Sequence, residues 1–404
     1  MMRTFLPSLV VVAILAIPAL WGCAEPPGPS NYTVRDSAGI RIVESGEPAW
    51  CPGEGWSIAP DPVMKIGERE GEESQLLFQV ADARRLPGGG IAVLNGGSGT
   101  VRIFAGDGDF LREFGGAGEG PEEFRSPISL HVLAEDTLLI WDGARPGFSL
   151  FTVDGEFLRS RRLSLPGLER PAGVHPLPGN RLLLTTHSSP FTRPGDHGVG
   201  IHRFSTPFLV LDGDGIVLDT LGVFPSSETM ILEQAVGFPP FHKSTYVDVL
   251  GDAIYVGTAD AMDVSVRGLS GEPKALYRHP AVDLNVGAAE REWFRDRMGV
   301  EARPEGVPIL EQISSSLIFP ETRAAYSDLR VDPTGAVWLR TGLYFPEGPA
   351  PTEWSVFSRE GAFLGTLAMP PGFEPMEFGR DFVLGRWKDE LGVEQVRVYR
   401  IENR

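Results

Sequence analysis

Nine residues that could bind a metal ion or a polar ligand lie in short segments, each followed by a run of apolar residues. They are Asp82, Arg84, His131, His175, Tyr246, Asp248, Asp328, Arg330 and Glu377. Carboxylates and imidazoles are metal ligands, and together with guanidinium groups they hydrogen-bond polar molecules. If these segments meet on a common axis, the side chains form one ligand site. The alternative is that most of them are solvated or pair with one another, because alternation along a strand directs only about half inward.

A metal ion on that axis is one reading of these residues. The preferred ligands are His131, His175 and Asp248, with Asp82 or Asp328 as alternative carboxylates. Imidazole with carboxylate suits zinc, whereas carboxylates alone suit calcium. The sequence contains no His-Glu-x-x-His helix motif and no Gly-x-Ser-x-Gly elbow. We therefore assign no catalytic residue, and a divalent ion is the only cofactor considered.

Charge and cysteine content exclude other classes of function. The chain of 404 residues has a formal net charge of −18, which repels phosphate backbones, so nucleic acid is not an expected partner. Only two cysteines occur, Cys23 and Cys51, too few for a disulfide framework. Cys51, between Trp50 and Pro52, is expected to be a buried, inert thiol.

Repeats indicate which elements position the candidate residues. Acid-Gly or similar turns between alternating segments predict hairpins at Gly108, Gly155, Gly215, Gly361 and, more weakly, Gly271. A short apolar strand precedes each turn, and a sixth such strand occurs at residues 382–384; the others are at residues 91–94, 138–141, 182–185, 254–256 and 336–339. Strands that are apolar on both faces are buried on both sides. Six inner strands therefore predict six repeated sheets.

The ends of the chain are expected to complete one sheet together. After residues 393–401 the sequence ends, so the sixth sheet lacks an outermost strand. Residues 63–67 and the following glycines and Phe78 parallel the outer strand at residues 111–115 and its connection to Phe124. Pairing residues 63–67 with residues 393–401 would close the ring and protect an open edge.

The glycine-rich stretch GGAGEGPEEFRSP, residues 115–127, resembles the loop of NHL-type six-bladed β-propellers. The resemblance extends over residues 61–402 and implies an all-β, six-bladed β-propeller closed by an N-terminal strand. Residues 61–404 are assigned to it. Helical spacing in the long connection predicts a small insertion at about residues 284–320, between blades 4 and 5, with Asn285 capping a helix that extends to Met298.

The N-terminus predicts a membrane anchor. Arg3, an apolar run and Leu-Trp-Gly-Cys ending at Cys23 resemble the lipobox of bacterial lipoproteins. That resemblance implies a signal peptide at residues 1–22, a lipid-modified Cys23, and, from Ala24, an outer-membrane destination in the cell envelope. Residues 23–60 are assigned to a lipidated tether and lead-in. The layout resembles that of uncharacterised bacterial propeller lipoproteins.

Two functions of different kinds remain. The first is a membrane-anchored extracytoplasmic module that binds a protein, peptide or glycan at its axial mouth. The second is a metal-dependent propeller enzyme, a lactonase-like hydrolase or lyase, in which the metal would polarise a carbonyl or activate water. The absence of a catalytic motif favours the first.

Overall fold

The computed structural model describes residues 31–51, 53–134, 136–165, 169–188, 197–233, 235–280, 282–301, 316–341 and 352–404. The predicted signal peptide, Cys23 and most of the tether lie outside these residues, as does most of the second half of the predicted helical insertion. Residues 32–66 form four strands that join sheets built later in the chain: β1 (Tyr32–Ser37), β2 (Ile40–Ser45), β3 (Ser57–Ile58) and β4 (Met64–Ile66).

Blades 1 to 3 follow in order along the chain. Blade 1 comprises β5 (Val80–Arg85), β6 (Ile91–Asn95), β7 (Thr100–Phe104) and β8 (Phe110–Gly115). Blade 2 comprises β9 (Pro127–Ala134), β10 (Thr137–Asp142), β11 (Gly147–Thr152) and β12 (Phe157–Arg162). Blade 3 comprises β13 (Glu169–Leu177), β14 (Arg181–Ser188), β15 (Gly200–Asp212), β16 (Val217–Ile231) and β17 (Val236–Gly237).

Blades 4 to 6 complete the set. Blade 4 comprises β18 (Tyr246–Leu250), β19 (Ala253–Gly257), β20 (Asp263–Arg267) and β21 (Pro273–Arg278). Blade 5 comprises β22 (Leu329–Val331), β23 (Val337–Thr341), β24 (Glu353–Phe357) and β25 (Phe363–Ala368). Blade 6 comprises β26 (Phe373–Phe378), β27 (Phe382–Lys388) and β28 (Glu394–Glu402).

The six innermost strands form a closed ring. β5 contacts β9, β9 contacts β13, and the contacts continue through β18, β22 and β26 back to β5. Within each blade, consecutive strands pair antiparallel in a meander. The second strands are buried on both faces, as β6 is throughout, because each blade packs between two neighbours. The fold is a six-bladed β-propeller, as the repeats predicted.

Blade 6 is closed by β4, which confirms the predicted pairing of the two chain ends. Ile66 lies opposite Val396, and Met64 lies opposite Val398. Ile66 is 1% exposed and packs in the core shared by blades 1 and 6. The edge that β28 would otherwise expose is therefore covered.

The start of the described chain forms a belt, residues 31–66, around the outside of blades 4, 5 and 6. β2 pairs in parallel with β21 and carries β1 on its outer side. Ala49 and Trp50 then donate backbone N–H groups to two carbonyls of β25, and β3 pairs with β28. Residues assigned to the lead-in thus contribute strands to the propeller. The alternation around the turn at Gly39 was the sequence signal for β1 and β2.

The middle of the belt corrects the expectation for Cys51. The rings of Trp50 and Trp56 pack with their centroids 5.4 Å apart, yet Cys51 is exposed. The belt runs over the outer surface of the blades, so a residue between two inward-facing tryptophans is directed toward solvent.

An α-helix, α1 (Ala288–Glu301), lies between blades 4 and 5 as predicted. It begins two residues later than expected, because Asn285 forms an isolated bridge with Thr322 and does not cap it. Glu290 instead accepts the backbone N–H of Gly287, an arrangement that stabilises the first turn. Phe294 packs on Phe241. No described residue of α1 lines the cavity on the propeller axis or the smaller cavity beside it.

Candidate functional site

A cavity of about 730 Å³ lies on the propeller axis between the innermost strands. This volume is typical of small-ligand sites. Eight of the nine predicted residues line it: Asp82, Arg84, His131, His175, Asp248, Asp328, Arg330 and Glu377. Tyr246 lines a second cavity of about 320 Å³ that shares residues with the first. The repeat phase thus brings the predicted residues together, and their binding role stays a prediction.

Arg84 and Asp82 form a pin that connects three blades. Asp82 accepts the backbone N–H of Leu130 at 2.8 Å and pairs with Arg84 at 3.0 Å. Arg84 Nε donates to the Leu130 carbonyl at 3.0 Å, and its Nη1 donates to the carbonyl of Met376. Burial raises the pKa of Asp82, although Arg84 opposes that shift. These polar atoms are satisfied within the protein, so this pair holds blades 6, 1 and 2 together.

Two further carboxylates repeat this arrangement between neighbouring blades. Asp248 of blade 4 accepts the N–H of Val331 in blade 5 at 2.7 Å, and Glu377 of blade 6 accepts the N–H of Arg85 in blade 1 at 2.7 Å. Burial raises the pKa of both acids. Each carboxylate retains lone pairs that can accept a hydrogen bond from a ligand.

Arg330 differs from Arg84 because only its Nε takes part in a hydrogen bond within the described residues. Its Nε pairs with Asp328 at 3.1 Å, and the side chain is 35% exposed. No hydrogen-bond acceptor within the described part of the chain approaches its two terminal nitrogens. A guanidinium group that is fixed at Nε can present both terminal nitrogens to a ligand in one orientation.

The two histidines beside Arg330 are neutral. Burial, with contributions from Arg330 and then Arg84, lowers the pKa of His175 from 6.5 to about 4. Burial, followed by Arg84, His175 and Arg330, lowers the pKa of His131 well below its ordinary value. The ring centroids are 6.2 Å apart. Neutral imidazoles offer one donor and one acceptor each.

The preferred metal ligands do not assemble into a metal site. Over the described residues, no group of three His, Cys, Asp or Glu side chains could hold one ion. Both carboxylate oxygens of Asp248 already accept backbone N–H groups, from Val249 and Val331. The geometry therefore does not fit the proposed ion, and no catalytic step is derived through it.

A serine close to His131 does not provide an enzyme site either. Ser129 Oγ lies 3.4 Å from His131 Nε2, longer than the usual hydrogen bond of a nucleophile and its base. His131 also bonds to the backbone of Val174, so no carboxylate orients its ring. What the cavity offers chemically is directed hydrogen bonding.

Sequence reasoning missed the residues that second and third strands contribute to the cavity. These include Arg340, Trp354, Arg386, Lys388 and Glu394; Glu374, on the innermost strand β26, was missed as well. Glu394 is 3% exposed and pairs with Lys388 at 2.9 Å. Trp354 is 1% exposed, and its Nε1 has no hydrogen-bond partner among the described residues. The available signal was the charged end of each apolar second strand, Leu-Arg in β23 and Arg-Trp-Lys in β27.

The lowered pKa of His175 predicts a pH-dependent stability. The unfolded chain binds a proton at His175 below about pH 6.5, whereas the folded protein does so only below about 4, so stability is lost as pH falls between these values. The wild type should lose about 1 kcal/mol more than His175→Asn between pH 7 and 5.5, after allowance for solvent at the cavity surface.

Urea unfolding at the two pH values measures this difference. The raised pKa values of Asp82, Asp248 and Glu377 contribute with the opposite sign, because the folded protein binds their protons first. That contribution is common to wild type and variant and cancels in the comparison. Equal losses in the two proteins would contradict a neutral, buried His175.

Comparison with known proteins shows the fold. No protein-family profile and no curated protein matches the sequence. A protein from Bacteroides fragilis, described provisionally as exported, superposes with a TM-score of 0.51 at 14% identity, over 89% of this chain and 99% of that one. A DUF4221 family member from Bacteroides vulgatus gives 0.50 at 9% identity, over 87% and 99%. At these low sequence identities, the similarity to the two proteins shows a shared fold.

A lyase propeller is less similar. Virginiamycin B lyase from Staphylococcus aureus has a TM-score of 0.43 and 10% identity, over 85% of this chain and 99% of its own. Its activity is not transferred to this chain. Separately, no helix within the described residues is long and apolar enough to cross a membrane.

Proposed function

We propose that this chain is a lipid-anchored, extracytoplasmic propeller of the NHL type that binds a protein, peptide or glycan ligand at its axial mouth. The observation that carries the proposal is the unused hydrogen-bonding capacity of the axial cavity. Arg330 presents two donors, His175 is neutral and available, and Asp248 retains acceptor lone pairs. These groups are fixed on the inner strands of a closed ring, which suits them for recognition without rearrangement.

The fixed scaffold supports binding over chemistry. The blades are pinned to each other near the axis by carboxylate–backbone hydrogen bonds such as Asp82 to Leu130. The glycine-rich connection after blade 1 is likewise internally satisfied, because Glu123 accepts the N–H groups of Glu119 and Gly120. The Glu123 carboxylate thus occupies the N–H groups that an anionic ligand would need. The glycine-rich loop therefore serves as a connection between blades. The net charge of −18 argues against nucleic acid as the ligand.

Arg330→Gln tests the binding site. The probes are uncharged oligosaccharides, uronate oligosaccharides and short peptides. We expect at least one of them to bind the wild type about tenfold more tightly than the variant, because the variant loses a charge-assisted hydrogen bond. Isothermal titration calorimetry measures the affinities. Lys274→Gln, at an exposed pair outside both cavities, is the control. A panel without any Arg330-sensitive probe would overturn the proposed site.

Cys23→Ser tests the anchor. The wild type expressed with its leader in a Gram-negative host should fractionate with the outer membrane, and its N-terminal peptide should carry acyl chains attached at Cys23. The variant should lose both the lipid and the membrane association while retaining the folded propeller. Mass spectrometry of the N-terminal peptide decides the question. An unmodified Cys23 in membrane-associated protein would contradict the lipid anchor. It would not bear on ligand binding, which the Arg330→Gln variant tests separately.

A further inference from the structure

Beside the axial cavity lies the second, smaller cavity, bordered by blades 3, 4 and 5. We infer that the two cavities form one extended site for an uncharged oligosaccharide, with the smaller cavity as a subsite for a further sugar ring. The inference rests on the proposed binding function and names its ligand class.

The two cavities adjoin each other and share part of their walls. Five residues line both of them: Ala172, Gly173, His175, Asp328 and Arg330. Arg330 and His175 therefore stand at the junction, where a ligand that occupies both cavities passes between them. Their volumes, about 730 and 320 Å³, both fall in the range typical of small-ligand sites, so together they accommodate a ligand of more than one unit.

Eight of the 18 residues that line the smaller cavity carry a hydroxyl group. Seven serines and threonines line it: Thr185, Thr186, Thr206, Ser226, Ser227, Ser244 and Thr245. The phenol-bearing Tyr246 adds an aromatic ring. These hydroxyl groups give the cavity hydrogen-bonding positions along a wall that also contains apolar residues such as Phe208 and Leu329.

The hydroxyl protons of this wall are largely used inside the protein. Thr185 donates to the carbonyl of Gly173 at 3.2 Å, Thr245 donates to that of Pro225 at 2.5 Å, and Ser244 donates to Ser227 at 2.8 Å. A hydroxyl that donates once still has acceptor lone pairs. The smaller cavity therefore offers acceptors, and a fitting ligand must bring donors.

The junction supplies complementary donors. The two terminal nitrogens of Arg330 have no hydrogen-bond partner among the described residues and can donate to a ligand. Asp248 and Glu377 add acceptors. Such a site suits a ligand that donates and accepts hydrogen bonds at closely spaced positions. Sugar hydroxyl groups do both.

The charges of the axial site disfavour an anionic ligand. Six carboxylates, four guanidinium groups and one ammonium group line the axial cavity, so the lining carries no net positive charge, and the histidines are neutral. Arg330 has three of those carboxylates in its electrostatic surroundings, Asp328 first, then Asp248 and Asp82. A carboxylate or phosphate entering here would meet this negative field, whereas an uncharged hydroxylated ligand would not.

The double substitution Ser227→Ala/Ser244→Ala tests the subsite. It removes both partners of one hydrogen bond, so neither hydroxyl is orphaned and folding is preserved. The probes are mono-, tri- and tetrasaccharides of β-1,4-linked glucose and N-acetylglucosamine, measured by titration calorimetry. We expect a trisaccharide or longer probe to bind about three- to tenfold more weakly to the variant, with monosaccharide affinity unchanged.

The matched control is Ser355→Ala/Thr366→Val, which removes a comparable hydroxyl pair, 3.1 Å apart, outside both cavities. It should bind every probe as the wild type does. Arg330-sensitive binding of only uronates or peptides would overturn the saccharide inference while sustaining the proposed function. Equal weakening of mono- and trisaccharides, or none, in the double variant would overturn the subsite. A wild type that binds no probe overturns both proposals.

Discussion

Arg84→Met should lower the free energy of unfolding by about 3 to 5 kcal/mol, the typical effect of removing one partner of a buried ion pair. The substitution leaves Asp82, which is 4% exposed, without its counter-charge. It also removes the donors that now satisfy the carbonyls of Leu130 and Met376. Three blades therefore lose one shared contact.

Chemical denaturation measures this loss, and two further variants define its cause. Asp82→Asn/Arg84→Met removes both charges and should recover more than half of the lost stability, because no unpaired charge remains. Lys274→Gln removes an exposed pair, 4.0 Å from Asp252, and should change stability by less than about 1 kcal/mol. If Arg84→Met were as stable as Lys274→Gln, the pin would not contribute to holding the blades.

Ile66→Ala should cost about 2 to 4 kcal/mol, since it removes a fully buried aliphatic side chain from a packed core. Ile66 lies on β4, opposite Val396, in the core that blades 1 and 6 share. The loss therefore occurs at the seam where the ring closes, and equilibrium unfolding in urea measures it.

The neighbouring residue provides the matched control. Lys65 is on the same strand but exposed, so Lys65→Ala should change stability by about 0.5 kcal/mol or less while leaving the strand pairing intact. A result in which both variants behave alike would show that β4 does not contribute to closure.

The blades were predictable because their signals are local. An acid-Gly turn such as the one at Gly108 and the apolar second strand before it lie within about twenty residues, and hairpins of this kind specify their own pairing. The closure by β4 was predictable because its pattern repeats that of β8. The strands β1 and β2 also have a local hairpin signal, but their docking on β21 depends on a surface more than 200 residues away.

The candidate site was predictable as a set of positions but not as a set of contacts. Their positions at the starts of the predicted innermost strands made Asp82, Arg84 and Arg330 candidates for the axis, and in the structure they line the axial cavity. Nothing in the sequence distinguishes Arg84, which is saturated by the carbonyls of other blades, from Arg330, which keeps two nitrogens unused. That distinction depends on how neighbouring blades are offset, a tertiary property.

The same reasoning explains why the candidate metal ligands do not form a metal-binding group among the described residues. His131, His175 and Asp248 are suitable ligand types on neighbouring inner strands, but both oxygens of Asp248 accept backbone N–H groups. A ligand set inferred from residue type alone omits the competition from the backbone, which in this ring uses the carboxylates to join the blades.

The closure by β4 also dictates an order of assembly during synthesis. Residues 64–66 are made about 330 residues before their partners at residues 396–398. Blades 1 to 5 can form while the chain is still being synthesised, whereas blade 6 cannot be completed until β28 has been made. Until then β4 and the newest blade edge are both unpaired, so the growing chain is most exposed to aggregation just before completion. Contacts this distant in sequence also form slowly. We therefore expect the pairing of β4 with β28, which closes the ring, to be the rate-limiting step of folding.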